Sequence, residues 1–164
     1  MTFGRRGESR YTTAMDSSST LVPALTVLYH PDLERIGDLA RNIAGCAGRL
    51  AERPPVSPPS LLRELADDTR RSLGRALQSF ADLDGGLART VLGDDDDIDE
   101  IEGRVIRESI DRIQALPAAS RQEIDLIFIA KNLERVADHA TNIAEEVVLA
   151  TESVNLKHAE KLAP

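Results

Sequence analysis

LERVADHATNIA, residues 133–144, repeats LERIGDLARNIA, residues 33–44, with eight of twelve positions identical and a spacing of 100 residues. In the second copy Leu133, Val136, Ala137, Ala140 and Ile143 recur at steps of three and four, the period of a helix that buries one face. The stripe extends in both directions through Leu126, Ile129, Ala130, Ala144 and Val147, which predicts a helix from about residue 120 to 152. The first copy continues its own stripe through Ile36, Leu39, Ala40, Ile43, Ala44, Ala47 and Leu50. Two related amphipathic helices therefore frame whatever lies between them.

Between them the chain alternates stops and helical periods. ERPPVSPPS, residues 52–60, places four prolines in a short span and reads as a stiff linker, with Ser57 as an N-cap and Pro58 at the first helical position. Leu62, Leu65, Thr69, Leu73, Ala76, Leu77 and Phe80 then share one helical face. LDGGLARTVLG is a turn plus a short helical piece that stops at Gly93. The following segment opens with acids and carries the stripe Ile98, Ile101, Val105, Ile106, Ile110 and Ile113 before LPAAS turns the chain again. No strand period competes. His30-Pro31 is expected to break or restart the first helix, because proline lacks the amide donor and disfavours helix at the residue before it.

Composition supports an all-α reading. Hydrophobic residues are 41% of the 164 positions but aromatics only 3%, so Leu, Ile, Val and Ala form the core beside abundant Arg, Glu and Asp. A net charge of −8 excludes a general nucleic-acid footprint and disfavours an anionic membrane surface. No apolar run approaches the roughly 20 residues of a membrane span. Cys46 is the single cysteine; on an apolar helical stretch it reads as a small buried hydrophobe in a cytoplasmic protein. Residues 1–20 are polar and read as a disordered tail.

The chemistry in the repeated phrase is carboxylate chemistry. Glu134 and Asp138 stand one helical turn apart, as do Glu34 and Asp38, so each pair emerges on one flank. Such pairs repel mildly when alone, and a hard cation reverses the sign. Asn142 and Asn42 stand a further turn along. The acidic run Asp94–Asp97 caps a helix start, yet Asp95, Asp99 and Glu102 exceed what capping needs and fall along one side. Packed beside the last helix, they would complete a carboxylate site with Glu134 and Asp138. The plainer reading of each cluster is a solvated helix face. His139 points away from both the apolar stripe and the carboxylate flank and reads as a surface residue. The sequence has no Glu-x-x-His of the di-iron bundles, no phosphate loop and no nucleophile elbow, so catalysis finds no support.

LERIGDLARNIA, NLERVADHATNIAEEVV and DDDIDEIE at residues 95–102 together resemble the signature helices of the PhoU family, regulators of bacterial phosphate uptake. The resemblance implies tandem three-helix bundles whose third helices carry the Glu-x-x-x-Asp motif, and it covers roughly residues 21–155. It implies iron or zinc bound as a multinuclear cluster through Glu34, Asp38, Glu134 and Asp138, extended here to Asp95 and Asp99. It further implies a cytoplasmic, non-enzymatic homodimer that represses the phosphate-starvation response, linking the ATPase subunit of the phosphate ABC transporter to a PhoR-type sensor histidine kinase. The expected organisation is a tail (1–20), the third helix of an incomplete first bundle (21–51), the linker (52–60), a complete three-helix bundle (61–153) and a second tail (154–164). On this reading the chain is an N-terminally truncated member. The first helix, lacking its own bundle, is expected to pack on residues 58–152 or on another copy of itself. Competing readings are a carboxylate-bundle metal-storage protein and a helical fragment without a regulatory role.

Overall fold

The last helix is the axis around which the others are laid. The computed structural model describes residues 17–162, with side chains placed for 31–153. Its helices are α1 (Ser17–Ala51), α2 (Leu62–Asp82), α3 (Gly85–Leu92), α4 (Asp95–Ala115) and α5 (Ser120–Leu162), with one 3-10 turn at Pro117–Ala119. Helices α1 to α4 each pack against α5. Of the two expected tails, residues 17–20 and 154–162 are helical, and residues 1–16 and 163–164 lie outside the described residues.

Two local expectations fail for identifiable reasons. Helix α1 runs through Pro31 without a break. A proline inside a helix forfeits the bond from its own nitrogen and crowds the carbonyl four residues back, a local cost that this long helix absorbs. Ser57 does not cap α2, which starts at Leu62 after a non-helical Pro58-Pro59. Pro58, the residue that would have to be the first helical position, is itself followed by Pro59, which disfavours helical angles there. Ser60 instead donates its backbone N–H and its hydroxyl to Glu108 of α4, both at 3.0 Å. Gly93 does follow α3, but in a right-handed conformation; the left-handed residue of this region is Leu83 (φ 51°), which ends α2.

Helices α2, α4 and α5 form an up-down-up bundle. Leu65, Ile98, Val105, Ala130 and Ala137 make one core cluster, and Ala76, Ala88, Val91, Ala140, Ile143, Ala144 and Val147 the other. Buried Thr69, Ser72 and Ser79 are small enough for α2 to lie close to its neighbours, and Thr69 donates to the Leu133 carbonyl at 3.4 Å. Leu77 and Ile110, expected in the stripes, are 40% and 43% exposed. The contact line on α4 runs Ile98, Val105, Ser109, which turns the adjacent Ile110 outward. Short α3 lies so near α5 that a Cβ on Gly85 would collide with the Thr151 side chain.

Helix α1 packs antiparallel along the opposite side of α5, the first of the two arrangements expected for it. Three contacts fix the direction: Arg49 and Arg53 with Asp125, Asn42 with Asn132, and Asp32 with His139. Leu39 and Cys46 are the fully buried apolar residues of its described part, so polar groups carry much of this contact. Asp125 is buried and accepts from Arg49 Nε at 2.9 Å and Arg53 Nη1 at 2.5 Å. Burial alone would raise its pKa; the hydrogen bonds from Arg49 and Arg53 outweigh that and hold it below the ordinary aspartate range. Its contribution to stability is therefore present at neutral pH and lost as pH falls through the lowered folded value.

Asp125→Ala is expected to lower stability at pH 7 by roughly 1–3 kcal/mol, since it leaves two partly exposed guanidiniums without their acceptor. Urea unfolding measures the loss, and hydrogen exchange should place it mainly in α1. Gly85→Ala is expected to destabilise by roughly 1–3 kcal/mol through overpacking against Thr151, read by the same unfolding curves.

Candidate metal centre

Helices α4 and α5 run antiparallel, and polar contacts at two levels set their register. Thr141 on α5 donates to Asp95 Oδ1 at 3.0 Å, and Lys131 Nζ ion-pairs with buried Glu102 Oε1 at 2.7 Å. Between these levels the two carboxylates of the repeated phrase face Asp99 of α4. One oxygen each from Asp99, Glu134 and Asp138 lies within 4.8 Å of the others. The i, i+4 spacing presents Glu134 and Asp138 on the flank of α5 beside its apolar stripe, and the helix pairing supplies the third acid.

All three carboxyls are pushed above the ordinary carboxylate range. For Glu134 the causes are burial and then Asp138; for Asp138, burial and then Asp95 and Asp99; for Asp99, burial and then Asp95 and Glu102. Lys131 opposes the rise at Glu134 and Asp99, and His139 and Arg135 oppose it at Asp138. Three hard oxygen donors with convergent, underneutralised negative charge suit a hard or borderline cation such as iron or zinc. The donor set fits a metal; binding one would replace mutual repulsion with attraction.

The other residues singled out from the sequence fall elsewhere. Asp95 is spent on Thr141 and acts on the cluster through its charge. Glu34 is exposed on α1, and Asp38 is ion-paired to Arg41 one turn on; among the described residues neither joins a ligand cluster. Asn142 turns toward α1, its amide 3.5 Å from Asp32. His139, expected at the surface, is half-buried between α1 and α5 with Nδ1 at 2.8 Å from Asp32. Lys131 and Thr141 escaped the sequence reading. Lys131, three residues before Glu134, was a signal in plain view, because residues at that spacing share a helix face.

The chain matches the PhoU domain over residues 62–147, more than half its length. It is 35% identical over 135 residues to the phosphate-specific transport system accessory protein PhoU homolog 1 of Thermotoga maritima, covering 81% of this chain and 58% of that one. To the PhoU homolog of Pseudomonas aeruginosa it is 33% identical over 129 residues, 77% of this chain and 53% of the relative. The crystal structure of PhoU from Pseudomonas aeruginosa superposes with a TM-score of 0.77 at 29% identity, covering 88% of this chain and 68% of that one. A bundle with a carboxylate-lined flank defines the class, an all-α protein with a candidate cation site. The chain belongs to the PhoU family, and it spans about half the length of the curated relatives it matches.

Raised carboxyl pKa values mean that the folded chain holds these protons more firmly than the unfolded one. The cluster's contribution to the stability of the metal-free protein is thus expected to fall as pH rises from the ordinary carboxylate range through the raised folded values. Glu134→Gln with Asp138→Asn should flatten that fall. At pH 7 it should raise the melting temperature of chelator-treated protein by roughly 2–4 °C, equivalent to about 1 kcal/mol in a chain this long after solvent screening. Calorimetric melts across pH check both the slope and its sign.

Proposed function

We propose that this chain is a regulatory adaptor of phosphate uptake, a negative regulator of the phosphate-starvation response. In that role it links the ATPase subunit of a phosphate ABC transporter to a PhoR-type sensor histidine kinase. The observation that carries the reading is the repeated Glu-x-x-x-Asp phrase, found on two helices packed antiparallel in a chain whose relatives are phosphate-specific transport system accessory proteins. The role is one of binding and not of catalysis, and its setting is the cytoplasm. No helix among the described residues is long and apolar enough to cross a membrane. Self-association as a homodimer completes the proposal.

Asp99, Glu134 and Asp138 would hold the iron or zinc, with Asp95 tuning their charge. Bound there, the metal supplies positive charge that ties α4 to α5. Lys131 already sits at the edge of the cluster as a resident cation and supports the idea that this flank demands a counter-charge. Glu34 and Asp38 belong to a second site only if Asp38 exchanges Arg41 for a metal. The same cluster favours a second reading, a metal-binding or storage protein; the adaptor reading uses the metal as a brace.

Tag-free protein is expected to carry iron or zinc in elemental analysis, and Glu134→Ala with Asp138→Ala to lose most of it; unchanged metal in that variant would remove the site from these residues. The chain is further expected to co-purify with the transporter ATPase or the sensor kinase at high phosphate. Recovery of neither defeats the adaptor reading and leaves the storage reading standing.

A further inference from the structure

The chain is acidic overall, yet one groove on it is basic. It lies between α1 and α5, has a volume of about 470 Å³, and is lined by Arg35, Asp38, Arg41, Asn42, Arg135 and His139. Asp38 is the only carboxylate of this lining, and Arg41 already neutralises it. Arg35 and Arg135 occupy the same place in the two copies of the repeated phrase. Because the two helices cross antiparallel, these equivalent arginines come to one groove from opposite walls. Both are exposed, and among the described residues neither has an ion-pair or hydrogen-bond partner; Arg135 acts on Asp138 through charge alone. Asp32 holds the His139 ring at the groove wall through Nδ1.

Unpaired guanidiniums on facing walls are a recognition device for anions. Each offers a planar fork of donors that matches two oxygens of an oxyanion. One carboxylate satisfies a single fork, whereas a tetrahedral oxyanion presents enough acceptors for both. The volume is about fifteen times that of one water (about 30 Å³ in the liquid) and leaves room for a hydrated or condensed anion. We propose that this groove is a binding site for an oxyanion of the phosphate class, free or condensed, held chiefly by Arg35 and Arg135. The site rests on the groove alone and stands whether or not the adaptor reading holds. It lies on the α1 side of α5, whereas the carboxylate cluster lies beside α4 and feels Arg135 and His139 through their charge on Asp138.

The test is calorimetric titration of chelator-treated, full-length protein with inorganic phosphate and, separately, with pyrophosphate, at constant ionic strength in chloride. Saturable binding of one anion per chain is expected, and the stronger of the two identifies the free or the condensed form. Arg35→Gln with Arg135→Gln should weaken it by about tenfold or more, the effect of removing charge-assisted hydrogen bonds. Arg35→Lys with Arg135→Lys should fall between, because charge is kept and the forks are lost. Arg70→Gln with Arg89→Gln, which removes the same charge on α2 and α3, should bind as the wild type does. Should the Arg35, Arg135 Gln variant melt early, NMR of the guanidinium Nε–H signals in wild-type protein on phosphate addition reads the same contact directly. No saturation by either anion, equal binding by the Arg35, Arg135 Gln variant, or unmoved Arg35 and Arg135 signals overturns the proposal. Equal weakening in the Arg70, Arg89 variant would also overturn it, by making the effect one of net charge.

Discussion

One helix has to satisfy every other, and that constraint shapes the molecule. Helix α5 is flanked by α2, α3 and α4 around one part of its circumference and by α1 around another. Its sequence divides accordingly. Leu126, Ala130, Ala137, Ala144 and Val147 make an apolar stripe of mostly small residues, so the bundle helices approach closely. Toward α1 it turns buried polar groups, Asp125 and Asn132, each matched to a donor or acceptor. A polar contact of this kind fixes direction and register better than an apolar one, because a slip of one residue would leave a buried carboxylate unpaired.

Charge is then distributed by which neighbour each flank of α5 meets. On the α4 side, Glu134 and Asp138 meet further acids, and repulsion and burial push their pKa values up. On the α1 side, Asp125 meets two arginines and its pKa moves down. The same residue types thus act in opposite senses within a few turns of one helix. Carboxylates whose charge is answered are structural; those whose charge is left unanswered are where a ligand has something to supply. Unpaired Arg35 and Arg135 are the cationic counterpart of that logic.

The repeated phrase made much of this legible. Period-three-and-four stripes located α2, α4 and α5, and proline and glycine located the turns between them. The expected residues of α2, α4 and α5 are mostly buried, with Leu77 and Ile110 as exceptions, whereas Ala40, Ala44 and Ala47 of the α1 stripe are exposed because α1 has one neighbour, α5, to bury them against. At the site, the i, i+4 spacing placed Glu134 and Asp138 on one flank, and the surplus of acids at the start of α4 pointed to Asp99. What the spacing could not distinguish was which acids already had partners. Asp38 stands in the same motif as Asp138, but its neighbour three residues on is Arg41 where Asp138 has Thr141.

By itself, then, the sequence determined the helical class, the order of elements, the family and the flank on which the carboxylates stand, because these follow from local periodicity and from residues a turn apart. Only the tertiary structure decided the rest: that α1 lies antiparallel on α5 through Asp125, that Asp99 converges with Glu134 and Asp138, and that Lys131 pairs with Glu102 beside them. It alone joined Arg35 to Arg135 across a groove. Those pairings span 29 to 100 residues of chain and depend on the register in which whole helices pack. Register is set by the sum of many weak side-chain fits, and no short stretch of sequence contains that sum.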